Sequence, residues 1–226
     1  MIPIRDTIPS KRFPVVTVSL IIVNVIIFMH EMSLGSELNR FISAYGMVPA
    51  RFFQSGDGES YSIIGRYYPF FTSIFLHGGW MHLIGNMWFL WIFGDNVEDR
   101  YGRFGFFLFY VFCGLLAGYA HALTNPQSAI PTVGASGAIA GVMGSYMLLY
   151  PRSRVLTLIP LFIFLHFAEI PAIFFLGIWF VFQFLSGTVD LAARSNAVGG
   201  VAWWAHIGGF LVGVFIAILS MIFKRK

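Results

Sequence analysis

The chain alternates between long apolar stretches and short breaks made of polar residues, glycine or proline. A transmembrane helix needs about 20 mainly apolar residues. Six stretches approach that length, at about 15–29, 78–93, 104–123, 136–150, 171–185 and 201–223. Gly94-Asp95-Asn96 is predicted to stop the second stretch and Pro151 to stop the fourth. The pattern therefore predicts an all-α, polytopic membrane protein with a bundle of six transmembrane helices.

Two segments are not predicted to cross the membrane. Residues 30–68 are polar to mixed in character and separate the first two spans. Residues 156–167 are apolar, but Pro160 interrupts them and they are too few to span a bilayer. This second segment is predicted to lie at the membrane interface or to pack against the bundle.

The composition supports a membrane protein. Hydrophobic residues make up 58% of the chain and charged residues only 11%, whereas soluble domains carry about 25% charged residues. Lipid must therefore solvate much of the apolar surface. The net charge of +4 does not indicate nucleic-acid binding, because the basic residues are dispersed or lie at segment ends. One transmembrane domain is predicted over 1–226, with its core at about 15–223 and no separate soluble domain.

The distribution of positive charge predicts the orientation. Six spans put both termini on the same side of the membrane, and ten of the 14 Lys and Arg residues then fall on that side. The four basic residues on the opposite side are Arg40, Arg51, Arg66 and Arg194. Because cytoplasmic loops are enriched in Lys and Arg, both termini are predicted to be cytoplasmic.

Five polar side chains occur where the pattern predicts membrane depth. His82 and Asn86 are four residues apart, so they share one face of the second span, and His77 immediately precedes that span. Ser136 opens the fourth span and His206 lies several residues into the sixth. Intramembrane polar residues are costly and usually functional. All five fall toward the non-cytoplasmic ends of their helices, so one pocket could contain them.

Small residues in the fourth and sixth spans predict how two of these side chains meet. Glycines recur at a spacing of four in both spans, at Gly137 and Gly141 and at Gly209 and Gly213. Such faces let two helix backbones approach closely. Packing them together would bring Ser136 and His206 near each other.

A neighbouring serine and histidine indicate nucleophilic catalysis. A serine hydroxyl becomes a useful nucleophile when an adjacent base takes its proton, and His206 is the natural base. The backbone N–H of Ser136, the amide of Asn86 and a ring N–H of His82 could stabilise the oxyanion. No acidic third member is evident, so a Ser-His dyad is predicted. The H-E-x-x-H zinc motif is absent, and neither a metal nor a cofactor is predicted.

With these motifs, the chain resembles the rhomboid family of intramembrane serine proteases, bacterial type, over about 68–213. His77, His82 and Asn86 match the histidine-and-asparagine signature of the second helix. Gly134-Ala135-Ser136-Gly137 matches the G-x-S-G nucleophile motif. His206, with Gly209 and Gly213, matches the helix that carries the catalytic base in this family. The Gly94–Gly102 segment, which contains Glu98, matches an element that braces the cytoplasmic side.

The resemblance implies roles for these residues. Ser136 would attack the scissile carbonyl, His206 would act as base and then acid, and His82 and Asn86 would help to form the oxyanion hole. Supporting roles would fall to His77, Gly134, Gly209, Gly213 and Glu98. The segment at about 30–76 would be a membrane-associated loop. The fifth helix and the cap over the site are the usual candidates for substrate gating.

The resemblance also implies partners and a location. Substrates would be single-span transmembrane proteins, cut within or near the bilayer toward the non-cytoplasmic side, and membrane lipid would surround the protein. The bacterial inner membrane would be the location. No oligomeric state follows from the sequence. One departure concerns the position four after the serine, where relatives often carry an aromatic residue that stacks on the histidine; here it is Ala140.

Two other functions fit parts of the pattern. A rhomboid-like pseudoenzyme would bind membrane proteins without cutting them, but such a protein would lack an intact dyad. A transporter with a polar pocket would need charged coupling residues within its spans. Only Glu169 comes close to that requirement, and it precedes Pro171 at a predicted helix end.

Overall fold

A computed structural model describes residues 1–53, 63–161, 164–193 and 200–223. The prediction of orientation used Arg194 and the basic residues at 224–226, which lie outside the described residues. The described helices are α1 Val15–Ser33, α2 Leu38–Tyr45, α3 Pro49–Phe53, α4 Ile63–Thr72, α5 Trp80–Tyr101, α6 Arg103–Thr124, α7 Ser136–Leu149, α8 Ala172–Ala193 and α9 Trp203–Phe223. The described strands are β1 Ile2–Asp6, β2 Arg154–Leu161 and β3 Phe164–Pro171.

Membrane-spanning helices dominate the fold. By length and composition, α1, α6, α8 and α9 are each long and apolar enough to cross a membrane. The chain is therefore an integral, multi-pass membrane protein. Helix α7 is equally apolar but has only 14 residues, and α5 carries acidic residues in its C-terminal half.

Helix α7 forms the centre of the bundle. Every residue from Gly137 to Tyr146 is buried, and the helix packs against α5, α6, α8 and α9. Its closest neighbour is α9. A Cβ atom added to Gly213 would lie 1.9 Å from the carbonyl oxygen of Gly141, and one added to Gly209 would lie 2.0 Å from that of Gly137. Only glycine allows this contact between backbones.

Helix α5 continues through the glycine and polar residues that were predicted to end it. That prediction was wrong, because Gly94 and its neighbours are helical and α5 ends only at Tyr101. Gly94 faces the side chain of Thr17 on α1. One turn later, the buried carboxylate of Glu98 accepts hydrogen bonds from the backbone N–H groups of Val16 and Thr17 and from the Thr17 hydroxyl. These residues hold the start of α1, whose first N–H groups have no partners within their own helix.

The apolar run after α7 forms strands, so the all-α prediction was incomplete. Strands β2 and β3 make an antiparallel hairpin, and β1 pairs with the other edge of β2. Val155 and Thr157 point into the bundle and are fully buried. The hairpin was missed because the run is short and contains Pro160, and because its partner β1 lies about 150 residues earlier in the chain.

Asp6 provides a pH-dependent contact between the sheet and α7. Its carboxylate accepts a hydrogen bond from the Tyr146 hydroxyl, and burial raises the pKa of Asp6 from 3.8 to about 6. A raised pKa means that the native state holds this proton more tightly than the unfolded state does. The contribution to stability is therefore fully present below about pH 3.8 and is lost as the pH rises through about 6.

We therefore expect the melting temperature of the wild type, compared with Asp6→Asn, to fall between pH 4 and pH 7. Two pKa units correspond to about 2.7 kcal/mol, but Asp6 is partly exposed and water screens it. A loss of roughly 1 kcal/mol, or about 2–4 °C, is expected. Thermal unfolding in detergent would measure it. If the melting temperatures of the two proteins change by the same amount between pH 4 and pH 7, Asp6 does not make this pH-dependent contribution.

The described part of the segment between α1 and α5 packs on the C-terminal part of α6 and the N-terminal end of α7. A backbone bridge joins Met47 to Thr132 just before α7. The carbonyl of Ser73 accepts a hydrogen bond of 2.9 Å from the N–H of Gly134. The segment thereby fixes the backbone that leads into Ser136.

Candidate active site

Ser136 is the first residue of α7, and the preceding turn requires glycine. Gly134 has a φ of +129°, a conformation that other residues rarely adopt. A Cβ atom at Gly134 would also lie 2.7 Å from ring atoms of His82. The turn thus brings a histidine ring against the backbone beside Ser136. As the first helical residue, Ser136 has a backbone N–H that finds no acceptor within the helix, and the helix dipole favours negative charge there.

The imidazole of His206 lies between two side chains. Its Nε2 is 2.8 Å from Oγ of Ser136, and its Nδ1 is 2.7 Å from Oε1 of Gln183 on α8. Both distances are those of good hydrogen bonds. The structure therefore brings together the serine and histidine singled out in the sequence, and it adds a glutamine that the sequence analysis did not name.

Backbone packing determines the position of this pair. Gly209 lies one helical turn after His206 and rests on the carbonyl of Gly137, which directly follows Ser136. Gly213 makes the equivalent contact one turn further along. The two side chains therefore reach each other because α7 and α9 touch through glycine at successive turns.

Two candidate hydrogen-bond donors share one face of α5, because His82 lies against the turn before Ser136 and Asn86 follows it four residues later. The ring of His82 accepts a hydrogen bond at Nδ1 from the N–H of Gly78, at 3.3 Å. A neutral imidazole that accepts at Nδ1 carries its proton on Nε2, the atom that lies against Gly134. Asn86 is 7% exposed, and its Nδ2 is buried without an acceptor among the described residues. A buried amide donor without a partner is costly unless a ligand or water supplies one.

Of the residues that were given supporting roles, His77 lies next to His82, whereas Glu98 lies far along α5. The backbone N–H of His77 donates to the buried carboxylate of Glu31 on α1, at 3.2 and 3.3 Å. Its ring contacts the ring of His82, with centroids 5.2 Å apart. His77 therefore packs directly against His82. Glu98 is about three turns of α5 beyond Asn86, toward the C-terminal end of that helix. The structure thus separates Glu98 from the candidate site.

Sequence reasoning missed two residues of α8 that contact His206. Gln183 bonds to its Nδ1, and the indole of Trp179 lies with its centroid 5.9 Å from the imidazole. Ala140 is buried in the core and carries no ring that could stack on His206. A signal was available, because Trp179 and Gln183 are four residues apart in an otherwise apolar span and so share a helix face.

Comparisons with known proteins find a matching family model and several similar proteins. The family model described as "Rhomboid domain" matches residues 65–223. The chain is 31% identical over 156 residues to Rhomboid-like protein 11, chloroplastic, of Arabidopsis thaliana, covering 66% of this chain and 51% of that protein. It is 31% identical over 180 residues to Rhomboid protein 1, mitochondrial, of Saccharomyces cerevisiae, covering 77% and 45%.

A bacterial protein is also similar to this chain. The chain is 32% identical over 155 residues to Rhomboid protease GluP of Bacillus subtilis, covering 68% of this chain and 26% of that protein. The chain spans about half the length, or less, of the curated relatives it matches.

Proposed function

This chain belongs to the rhomboid family, and from that membership we propose that it is an intramembrane serine endopeptidase with Ser136 as nucleophile and His206 as base. The observation that carries the proposal is the distance of 2.8 Å between Nε2 of His206 and Oγ of Ser136. A nucleophile within hydrogen-bond reach of its base is the geometry that serine catalysis requires. The protease name of one relative, GluP, supports the same reaction class.

The proposed reaction proceeds through an acyl-enzyme. Ser136 Oγ attacks the scissile carbonyl while Nε2 of His206 takes its proton, and the resulting imidazolium then protonates the leaving amine. Water, activated by the same histidine, hydrolyses the acyl-enzyme and regenerates the serine. No metal or cofactor has a part in this scheme.

Three donors are proposed to stabilise the oxyanion. They are the backbone N–H of Ser136, the Nε2–H of His82 and the Nδ2–H of Asn86. The amide of Asn86 is buried and its Nδ2 has no acceptor in the described part of the chain, which supports this role, because a preorganised donor needs no reorganisation when charge develops.

The length of α7 supports hydrolysis below the membrane surface. Fourteen residues at 1.5 Å each span about 21 Å, less than the roughly 30 Å of the hydrocarbon core. We propose that α1, α5, α6, α7, α8 and α9 are six transmembrane helices of one domain, with the segment at about 30–76 as a membrane-associated loop. Ser136 would then be recessed from the non-cytoplasmic surface, in a cavity that water must reach.

Substrates, orientation and location complete the proposal. The substrates would be single-span transmembrane proteins that reach the site from the lipid and are cut toward the non-cytoplasmic side. Both termini would be cytoplasmic, and the membrane would be the bacterial inner membrane. Two curated relatives carry chloroplastic and mitochondrial names. The proposed orientation is supported by the charge distribution, and the proposed bacterial membrane by the relative from Bacillus subtilis.

Labelling by a serine-directed electrophile tests the proposed nucleophile. We expect a fluorophosphonate to modify the reconstituted protein at Ser136, because the base at 2.8 Å activates that hydroxyl. Peptide mass spectrometry would locate the adduct. Ser145, on the same helix but bonded to the Tyr101 hydroxyl, provides an internal comparison. Labelling at another serine with Ser136 unmodified would contradict the assignment.

Replacing Asn86 by alanine tests the oxyanion site. We expect kcat to fall by about 10²–10³ with little change in KM, because the lost donor acts mainly in the transition state. Cleavage of a single-span substrate in proteoliposomes would measure it. Asn24→Ala is the control, since its buried amide bonds within α1 to the carbonyl of Leu20. Equal losses in the two variants would indicate general destabilisation.

A further inference from the structure

The second nitrogen of His206 has a partner of its own. Nδ1 lies 2.7 Å from Oε1 of Gln183, a side chain that is only 8% exposed. A neutral imidazole bears one N–H, and an amide oxygen can only accept a hydrogen bond. The contact therefore requires the proton on Nδ1 and leaves Nε2 free to accept the Ser136 proton.

The position of Gln183 in α8 supports a dedicated role. The inward stripe of this helix contains Leu176, Trp179, Phe180, Gln183 and Gly187, at spacings of three and four. Gln183 is the polar member of that stripe. Phe180 stacks on Phe210 of α9 with centroids 4.7 Å apart, and Gly187 packs against Trp203 and Ile207. The glutamine is thus fixed against α9 by apolar contacts on both sides.

We propose that Gln183 is a positioning residue for the base, so that the working unit is Ser136–His206–Gln183; this proposal rests on the proposed function. The amide oxygen keeps His206 in the tautomer with Nε2 unprotonated and holds the ring plane toward Ser136. An uncharged amide in this place has a chemical precedent in the Cys-His-Asn arrangement of other proteases.

The glutamine acts without moving a proton. When Nε2 takes the proton of Ser136, the imidazolium carries N–H groups at both nitrogens, and the Nδ1–H remains bonded to Oε1. An oriented oxygen dipole stabilises this charge in a buried site. Each proton that Nε2 accepts passes either to the leaving amine or to the serine oxygen that is released when the acyl-enzyme is hydrolysed. The glutamine is therefore unchanged at the end of each cycle.

Three helices therefore assemble one catalytic unit. Ser136 comes from α7, His206 from α9 and Gln183 from α8. A hydrogen bond weakens steeply once the distance between its donor and acceptor lengthens by more than a few tenths of an ångström. The orientation of His206 thus depends on the contact between α8 and α9, in addition to the glycine contact between α7 and α9.

Two substitutions at one position test the role. Gln183→Met keeps the length of the side chain but removes the amide oxygen, whereas Gln183→Glu keeps an oxygen acceptor at the same reach. We expect Gln183→Met to lower kcat about 100-fold with KM unchanged, and Gln183→Glu to restore most of that loss. Phe175→Leu is the matched control, because it loosens the packing of α8 against Phe93 of α5 and leaves both the amide and the contact between α8 and α9 in place. Equal kcat in Gln183→Met and wild type, or equal losses in Gln183→Met and Phe175→Leu, would overturn the proposal.

A spectroscopic measurement separates this proposal from the proposed function. Protein with ¹⁵N-labelled histidine, in lipid nanodiscs, should show Nδ1-protonated His206 in wild type and in Ser136→Ala, with the signal assigned by its loss in His206→Ala. In Gln183→Met, we expect a mixture of tautomers. An unchanged signal in Gln183→Met would overturn the positioning role even if the protein is an active protease. A changed signal in a protein without protease activity would support the contact and reject only the proposed function.

Discussion

Replacing Ser136 or His206 by alanine is expected to lower kcat for a single-span substrate by on the order of 10⁵–10⁶. Without His206, the serine hydroxyl has no base at 2.8 Å to take its proton; without Ser136, no nucleophile stands at the N-terminus of α7. Because the two act as a unit, the double variant should lose no more than either single variant. Initial cleavage rates in proteoliposomes would measure all three losses.

Ser145→Ala is the matched control for this experiment. It removes a buried hydroxyl from the same helix, where Ser145 bonds to the Tyr101 hydroxyl at 2.8 Å. We expect a stability loss of about 1 kcal/mol and little loss of activity. Substantial cleavage by Ser136→Ala or by His206→Ala would reject the dyad. Additive losses in the double variant would show that the two side chains act independently.

Replacing Gly213 by alanine is expected to disrupt the bundle where α9 meets α7. The new methyl group would lie 1.9 Å from the carbonyl oxygen of Gly141, and a backbone atom cannot move aside as a flexible side chain can. Overpacking of this kind costs about 3 kcal/mol or more, which lowers the melting temperature by roughly 6–12 °C. A shift of about 1 Å between the helices would also cost roughly 10²-fold in activity, because it separates His206 from Ser136. Thermal unfolding and cleavage rates on the same preparation would test both effects.

Gly177→Ala is the matched control on α8. A Cβ atom at Gly177 meets nothing within 4 Å in the described part of the protein. Since alanine is the better helix former by about 1 kcal/mol, this variant should be as stable as wild type or slightly more stable. Similar losses in the Gly177 and Gly213 variants would show that glycine flexibility, and not close approach, is what matters at these positions.

Local chemistry made much of the candidate site predictable. Ser136, His206, His82 and Asn86 were recognisable because polar groups at membrane depth are costly and stand out against apolar spans. The glycine spacing in the fourth and sixth spans also indicated which two helices touch. Gln183 also stands out as a polar residue in an apolar span, but no local pattern in the sequence reports that its partner is the second nitrogen of a histidine in another helix.

Parts of the fold were less predictable for a related reason. The polar group around Gly94 and Glu98 suggests a helix end when it is considered alone. In the structure, the same residues continue α5 because α1 brings N–H groups that satisfy the Glu98 carboxylate. The hairpin of β2 and β3 likewise depends on β1, which is remote in the chain.

From the sequence we could predict a membrane protein, the approximate positions of its long helices, and the serine and histidine that are candidates for a dyad. Apolar length and the cost of buried polar groups are local properties, so they can be read from neighbouring residues. Only the folded protein shows that Nε2 of His206 lies 2.8 Å from Oγ of Ser136, that Gln183 bonds to the other ring nitrogen, and that a sheet packs beside the helices. These features depend on contacts between segments far apart in the chain, and packing of the whole bundle determines which atoms meet.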